Sequence, residues 1–179
     1  MRIISGDLKG KKIFLPIDNE TRPLRDLVKE SIFNLINHSN KFSLKFNNSH
    51  ILDLFAGTGS FGIECISRNA RKVTFIENYN LKLKILKKNI KFLGVDDKAK
   101  IIEKNCFNFF KSKKKFEKKF NLIFMDPPYR ETKINFIINE IKEREILDKN
   151  GILIIHRHKK DNKDISKKLK ILDERNYGI

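Results

Sequence analysis

From residue 50 onward, short apolar runs alternate with helically patterned segments, and this alternation constrains the fold more than any other feature. Strands are predicted at residues 51–54, 72–76, 99–103, 121–125 and 151–156. Helices are predicted at residues 60–69, 80–93, 106–115, 132–146 and 162–169, with a last short strand at 170–173. Strands that alternate with helices form a mostly parallel sheet with helices on both faces. The expected fold class is therefore α/β and Rossmann-like.

The part of the chain before this alternation has a different pattern. Residues 1–16 have the alternation and glycine turn of a short basic hairpin, and residues 24–36 carry the apolar stripe of a helix. We expect residues 1–49 to form an N-terminal extension to a core of residues 50–179, within the same structural domain.

Length and composition place the chain among globular proteins. Its 179 residues are 40% hydrophobic, enough for one domain with a full core. The sequence contains no apolar stretch of membrane-spanning length and no signal peptide at its N-terminus, which predicts a cytoplasmic protein; we also expect a monomer. Two cysteines and four scattered histidines, without a carboxylate or cysteine partner at ligand spacing, predict no metal site.

The net charge is strongly positive. Lysine and arginine number 39 against 22 acidic residues, a formal charge of +17. Such an excess favours a polyanionic partner, with nucleic acid first. The richness in Lys, Asn, Ile and Phe is also typical of an AT-rich genome, so the charge supports a nucleic-acid partner without establishing one.

A glycine turn follows the first predicted strand of the core. Gly57, Gly59 and Gly62 would permit a tight turn, a close approach of a ligand to the backbone and close helix–strand packing. Glu77 ends the second strand, 20 residues after Gly57, where its carboxylate could accept hydrogen bonds from ribose hydroxyls. This pattern fits either a nicotinamide dinucleotide or S-adenosylmethionine.

Two further side chains near the predicted cofactor pocket each have two interpretations. Phe55, beside the glycine turn, could pack on the cofactor or fill the core. Asn105, after the third strand, could contact the adenine amine, and it is equally suited to cap the helix that follows.

The segment Asp126-Pro127-Pro128-Tyr129 follows the fourth predicted strand and favours methyl transfer over hydride transfer. Proline removes the N–H and fixes φ, so the chain must leave the sheet there, and nearby carbonyls can accept hydrogen bonds from a ligand. A carboxylate acceptor and an aromatic face suit the exocyclic amine of a nucleobase. An ordinary proline-rich turn is the alternative. If the first and fourth strands are neighbours, this segment and the glycine turn lie side by side.

Taken together, the motifs resemble those of one family across nearly the whole chain, in order. They are Arg2-Ile3-Ile4-Ser5-Gly6 with Lys9-Gly10-Lys11-Lys12, Arg22-Pro23-Leu24-Arg25-Asp26, residues 53–64, Ile76-Glu77 and Asp126-Pro127-Pro128-Tyr129. This set is similar to that of the bacterial small-subunit ribosomal RNA guanine-N2 methyltransferases of the D type. The resemblance implies a class I methyltransferase fold, S-adenosylmethionine as donor, and the small ribosomal subunit as partner, with methylation of one 16S rRNA guanine at N2 (guanine 966).

The resemblance also implies roles for individual residues. The cofactor would be lined by Asp53, Gly57, Gly59 and Glu77, and the guanine amine would be held by Asp126, Pro127 and Tyr129. The residues implied to contact RNA are Arg2, Lys9, Lys11, Lys12, Arg22 and Arg25.

The chain departs from the family pattern in two places. Leu24 and Leu27 stand where the family usually has threonine and arginine, and Arg25 could supply the missing charge from a neighbouring position. The family also continues past a Tyr-Gly pair, here Tyr177-Gly178, into a final strand; we expect that strand to be absent and a sheet edge to be exposed.

Three other functions remain open from the sequence. The first is methylation of another amine, either N6 of adenine in DNA or N2 of a guanine elsewhere in ribosomal RNA. The second is a catalytically inactive RNA-binding or ribosome-assembly factor on the same fold, and the third is an NAD-dependent enzyme.

Overall fold

The computed structural model describes residues 1–16, 24–41, 43–112, 115–128, 131–158 and 169–177. Its helices are α1 (Asp26–His38), α2 (Ser60–Ser67), α3 (Asn80–Leu93), α4 (Cys106–Lys111) and α5 (Ile134–Glu143). Its strands are β1 (His50–Leu54), β2 (Lys72–Glu77), β3 (Ala99–Glu103), β4 (Phe120–Met125) and β5 (Leu147–Ile155), and a 3-10 turn covers Asp96–Lys98.

The five strands form one parallel sheet in the order β3-β2-β1-β4-β5. The chain moves outward from β1 through β2 to β3, then returns to the other side of β1 for β4 and β5. The strand order therefore reverses between β1 and β4, the position at which open α/β sheets bind their ligands. The predicted α/β, Rossmann-like fold class is confirmed.

Helices cover both faces of the sheet because alternate strand residues point to opposite sides. Helices α1, α2 and α3 pack with Ile51, Val73 and Leu122 in one apolar cluster. Helices α4 and α5 pack with Leu52 and Ile123 in the other. A strand buried on both faces needs nearly continuous apolar sequence, which is the pattern of β1, β2 and β4.

The N-terminal hairpin is present but shorter than the sequence predicts. Its two arms meet in a single antiparallel bridge between Arg2 and Lys12. Ile3 N–H donates to the Lys11 carbonyl at 3.0 Å. Ile3 and Ile13 are buried in the cluster beneath α1 to α3, so the hairpin packs on the same core as those helices.

The buried carboxylate of Glu64 on α2 ties the hairpin and α1 to the core. It accepts hydrogen bonds from Ile4 N–H at 2.8 Å and Ser5 N–H at 3.0 Å. Lys29 Nζ lies 3.8 Å away and Arg68 Nε 3.1 Å away. Burial lowers the pKa of Lys29, although the Glu64 and Asp26 carboxylates act in the opposite direction.

Three sequence predictions differ from the structure. Strand β5 begins at Leu147 rather than 151, and α4 ends at Lys111 rather than 115. Residues 170–173 form no strand, and Ile171 and Leu172 are exposed. The helix predicted at 162–169 lies outside the described residues apart from Leu169, which is in a bend. In the described part of the chain, no helix has the length and hydrophobicity needed to span a bilayer.

Candidate active site

The glycine turn and the Asp126 segment lie side by side, as the sequence analysis predicts for neighbouring strands. Leu54, the last residue of β1, pairs with Met125, the last residue of β4. The chain therefore continues from both strands at the same edge of the sheet. The cleft there is lined by Asp53, Phe55, Gly57, Lys82, Asp126 and Leu24, among others.

The glycine turn opens toward this cleft at one glycine and packs against the core at another. Gly57 has φ +57°, and the nearest atom to a side-chain carbon added there would be the Phe55 carbonyl oxygen at 4.0 Å. At Gly59, with φ +83°, such a carbon would lie 2.4 Å from a methyl of Leu86. Gly57 thus leaves the backbone open to a ligand, whereas Gly59 permits close packing of α3.

Phe55 is a non-glycine residue in the left-handed region, with φ +59°. A side chain in this conformation costs about 1–2 kcal/mol, which the surrounding contacts must offset. Its ring borders the cleft and packs edge-to-face on Phe107 at 5.9 Å. Phe55 thus packs on Phe107, as one of the two interpretations from the sequence has it, and it also lines the cleft.

Asp53 is buried at the end of β1 and organises the start of α2. Its Oδ2 accepts a hydrogen bond from Gly62 N–H at 3.0 Å. Burial raises the pKa of Asp53 well above its ordinary value, and the nearby Asp126 and Glu77 carboxylates raise it further, against the Gly62 hydrogen bond. Asp53 thus holds the helix that follows the glycine turn.

Glu77 joins the glycine turn to the end of β2. Its Oε2 accepts from Gly57 N–H at 2.7 Å, and its Oε1 accepts from Asn78 N–H and Tyr79 N–H, both at 2.8 Å. The carboxylate is therefore held by three backbone amides, and one of them belongs to Gly57, which lines the cleft. A carboxylate oxygen can accept more than one hydrogen bond, so this arrangement leaves acceptor capacity for a ligand.

Asn105 caps helix α4. Its side-chain oxygen accepts from Phe107 N–H at 3.0 Å and Asn108 N–H at 3.3 Å. Of the two interpretations from the sequence, the structure shows the helix cap. A contact with adenine would have to use the amide nitrogen of Asn105, since the oxygen is occupied by the cap.

Asp126 has a partner that the sequence analysis missed. His156 Nδ1 lies 2.8 Å from Asp126 Oδ1, and the two side chains are 26% and 24% exposed. Spacing along the chain, at which the histidines have no carboxylate partner, does not predict this pair. The residues are 30 positions apart, and only the pairing of β4 with β5 brings them together.

The two prolines that follow Asp126 differ in exposure. Pro127 is buried and Pro128 is exposed, with its carbonyl accepting from Glu131 N–H at 2.9 Å. The carbonyl of Met125 accepts from His156 N–H at 2.9 Å. Tyr129 lies outside the described residues, as does Arg22.

The other predicted RNA contacts are exposed. Arg2, Lys9, Lys11 and Lys12 lie on the hairpin, and Arg25 lies at the start of α1. Leu24 beside it lines the cleft. The start of α1 therefore borders the site.

A larger cleft lies at the other end of β4, between residues 115–119 and the end of α5. Its lining includes the ion pairs Lys119–Glu145 and Arg144–Glu140. None of the motif residues lines it, and the described residues contain no group of three metal-ligating side chains. The chemistry of the motif residues, rather than cleft size, locates the candidate site.

A family model described as Conserved hypothetical protein 95 matches residues 1–179, the entire sequence. The chain belongs to this family. Among curated relatives, the ribosomal RNA small subunit methyltransferase D of Buchnera aphidicola (subsp. Acyrthosiphon pisum) is 35% identical over 160 residues, covering 89% of this chain and 79% of the relative. The protein of the same name from Haemophilus influenzae is 31% identical over 180 residues, covering 100% and 90%.

A solved structure supports the same assignment. The candidate methylase HI0767 from Haemophilus influenzae is 30% identical with a TM-score of 0.77, covering 99% of this chain and 92% of that one. The family resemblance stated from the sequence is confirmed: the chain is a member of a family whose curated relatives are named as rRNA small subunit methyltransferases, with the class I methyltransferase fold.

Proposed function

We propose that this member of the family transfers a methyl group from S-adenosylmethionine to the exocyclic N2 amine of a guanine in 16S rRNA, at guanine 966. One observation carries the proposal: Asp126 and Pro127 leave β4 directly beside the glycine turn that leaves β1. A segment that can accept hydrogen bonds from an amine therefore lies beside a glycine turn that is suited to a nucleoside cofactor.

The residues around the glycine turn fit an adenosine-bearing cofactor. Gly57 leaves open space over its backbone, and Glu77, bonded to the Gly57 amide, offers a carboxylate that is already fixed by three amides. Phe55 adds an aromatic surface. In this proposal Glu77 accepts from the ribose hydroxyls, Phe55 and Asn105 contact the adenine side, and Asp53 and Gly59 keep the turn in place.

When bound, S-adenosylmethionine supplies a methyl group already activated by its sulfonium, so the protein needs only to align donor and acceptor. Asp126 and the Pro127 carbonyl accept hydrogen bonds from the N2 amine and orient its lone pair. In this proposal Oδ2 of Asp126, the oxygen that His156 does not contact, accepts a hydrogen bond from the amine. Asp126 need not be a strong base, because the amine can lose its proton after methylation.

The guanine must leave its stack to reach such a cleft, either by flipping from a helix or by lying in a loop. We propose that Tyr129 stacks on the extruded base. The exposed cations of the hairpin, together with Arg22 and with Arg25 beside the cleft, would hold the RNA backbone through phosphate contacts.

The experiment uses methyl-labelled S-adenosylmethionine and small ribosomal subunits from cells that lack the endogenous enzyme. We expect label at N2 of a single 16S guanine. Asp126→Ala should abolish turnover and retain cofactor binding, whereas Asp97→Ala, in the exposed 3-10 turn, should behave as wild type. Methylation by Asp126→Ala at the wild-type rate would show that this segment is not the active site.

Other results would identify the alternatives. Label in DNA would indicate an adenine methyltransferase, and label at another guanine would change the target but not the chemistry. Cofactor binding without transfer to RNA or DNA would indicate an inactive assembly factor. Absence of S-adenosylmethionine binding would contradict the proposed cofactor.

A further inference from the structure

We propose that a surface outside the cleft binds an unpaired nucleotide of the substrate RNA. This surface, the Phe14–Phe92 platform, comprises Lys12 and Phe14 from the hairpin and Lys88 and Phe92 from α3. Phe92 would stack on a base, and the two lysines would contact the adjoining phosphates. The inference deepens the proposed function and rests on it, because it assigns further contacts to the same RNA substrate.

The aromatic part of the platform is exposed and is not explained by core packing. Phe92 is 59% exposed, although the same helix buries Leu86, Ile90 and Leu93 in the core. Its ring meets that of Phe14 at 5.0 Å with an interplanar angle of 72°. The Phe14 ring therefore packs on the Phe92 ring in a T-shaped arrangement, while much of the Phe92 side chain remains in solvent.

The charges around the rings are those of a nucleic-acid site. Lys88 Nζ lies 4.1 Å from the centre of the Phe14 ring, and Lys12 Nζ lies 5.6 Å from it. Helix α3 carries five lysines and no acidic residue. Aromatic rings interleaved with cations bind single-stranded nucleic acid, because the rings stack on bases while the cations attract the phosphates.

The platform is held in a fixed position relative to the cleft by one buried side chain. Asn89 accepts from Phe14 N–H at 2.8 Å, and it donates to the Phe14 carbonyl at 3.1 Å and to the Thr58 carbonyl of the glycine turn at 3.0 Å. Lys82, on the first turn of α3, lines the cleft itself. Phe92 lies about 15 Å further along the same helix, a distance that a few nucleotides span.

A purely structural role is the competing explanation: the lysines and rings would then only attach the hairpin to α3. The two explanations differ at Phe92. A structural contact needs apolar bulk, which leucine supplies, whereas stacking on a base needs an aromatic face.

The test measures binding of a fluorescein-labelled single-stranded oligoribonucleotide by anisotropy, with a duplex of the same sequence for comparison. Phe92→Leu should weaken single-strand binding about fivefold or more, and Phe92→Tyr should stay within about twofold of wild type. The affinity for S-adenosylmethionine should be unchanged in both variants, since Phe92 does not line the cleft. The melting temperature should also be unchanged in both.

The matched charge control lies on the same helix. Lys87 pairs with Glu103 at 2.6 Å and is not part of the platform. Lys88→Gln should reduce affinity and the salt dependence of binding more than Lys87→Gln does. Equal losses of RNA affinity in the two lysine variants would show that the positive charge of α3 acts without a specific site. RNA binding by Phe92→Leu at the wild-type affinity would show that Phe92 does not stack on a base. Either result overturns the proposed platform.

Failure of the platform and failure of the proposed function give different results. If the wild-type protein labels 16S rRNA and Phe92→Leu both binds and labels normally, the platform is wrong and the methyltransferase proposal stands. If the wild-type protein labels no ribosomal RNA, the proposed function itself is wrong, whatever the binding data show.

Discussion

Nδ1 of His156 lies 2.8 Å from Oδ1 of Asp126, joining the carboxyl ends of β5 and β4 at the mouth of the cleft. The backbone supports the pair, because His156 N–H also donates to the Met125 carbonyl at 2.9 Å. This contact holds one carboxylate oxygen of Asp126 in place, and in the proposed reaction the other oxygen accepts from the guanine amine. His156 is therefore a positioning residue in the proposed reaction.

Removing the imidazole should impair turnover more than binding. His156→Ala should lower kcat about 10- to 100-fold, because a misoriented Asp126 loses alignment with the amine. The affinity for S-adenosylmethionine should be unchanged, and His156→Asn, whose amide can still donate to Asp126, should restore part of the rate. Single-turnover methylation of small ribosomal subunits measures the effect. His38→Ala, at the exposed end of α1, is the control, and an equal rate for wild type and His156→Ala would contradict the role.

Glu77→Ala should weaken binding of S-adenosylmethionine by about tenfold or more, because the substitution removes the proposed ribose acceptor and frees the Gly57, Asn78 and Tyr79 amides. Glu77→Gln keeps an oxygen acceptor and should fall between Ala and wild type. Isothermal titration calorimetry measures the affinity, with melting temperature recorded in parallel. Unchanged affinity in the alanine variant would remove Glu77 from the cofactor site.

Glu64→Ala should destabilise the fold by about 3–5 kcal/mol, since it leaves the buried Lys29 with only the Asp26 carboxylate, 3.6 Å away, and the Ile4 and Ser5 amides without an acceptor. Glu103→Ala is the matched control: its pair with Lys87 is half-exposed, and losing it should cost at most about 1 kcal/mol. Urea unfolding gives both values. Amide hydrogen exchange at Ile4 and Ser5 should accelerate only in Glu64→Ala. Equal losses of stability in Glu64→Ala and Glu103→Ala would contradict the stabilising role of the buried Glu64 carboxylate.

Asp53 should make stability depend on pH. Its folded-state pKa is raised, so the folded protein holds a proton that the unfolded chain releases, and stability falls as pH rises from the ordinary carboxyl pKa toward the raised value. The slope approaches about 1.4 kcal/mol per pH unit in that interval. Asp53→Asn keeps an acceptor for Gly62 N–H and removes this slope. Melting temperatures from pH 5 to pH 8 test it, and an equal decline in the variant and wild type would contradict the assignment.

Most helices and strands could be located from the sequence, because the pattern of apolar residues within each segment predicts its secondary structure. Helix α3 was predicted at the residues where it is observed, 80–93, since its apolar positions repeat with helical spacing and Gly94 ends it with φ +66°. The predicted strand β5 begins four residues too late. Its first part contains Asp148, Lys149 and Asn150, which have no strand pattern, and pairing with β4 places them in the sheet.

The candidate site also has residues that the sequence predicts and a contact that it does not predict. The glycine turn, Glu77 and Asp126 were identifiable from sequence because each follows an apolar strand, and parallel strands end at one edge of the sheet. The sequence by itself thus determined the α/β class, the strands that carry the motifs and the family resemblance. Only the tertiary structure decided that β4 lies between β1 and β5 and that His156 therefore meets Asp126. Hydrophobic periodicity specifies which face of a strand is buried, whereas strand order depends on contacts between residues far apart in the chain.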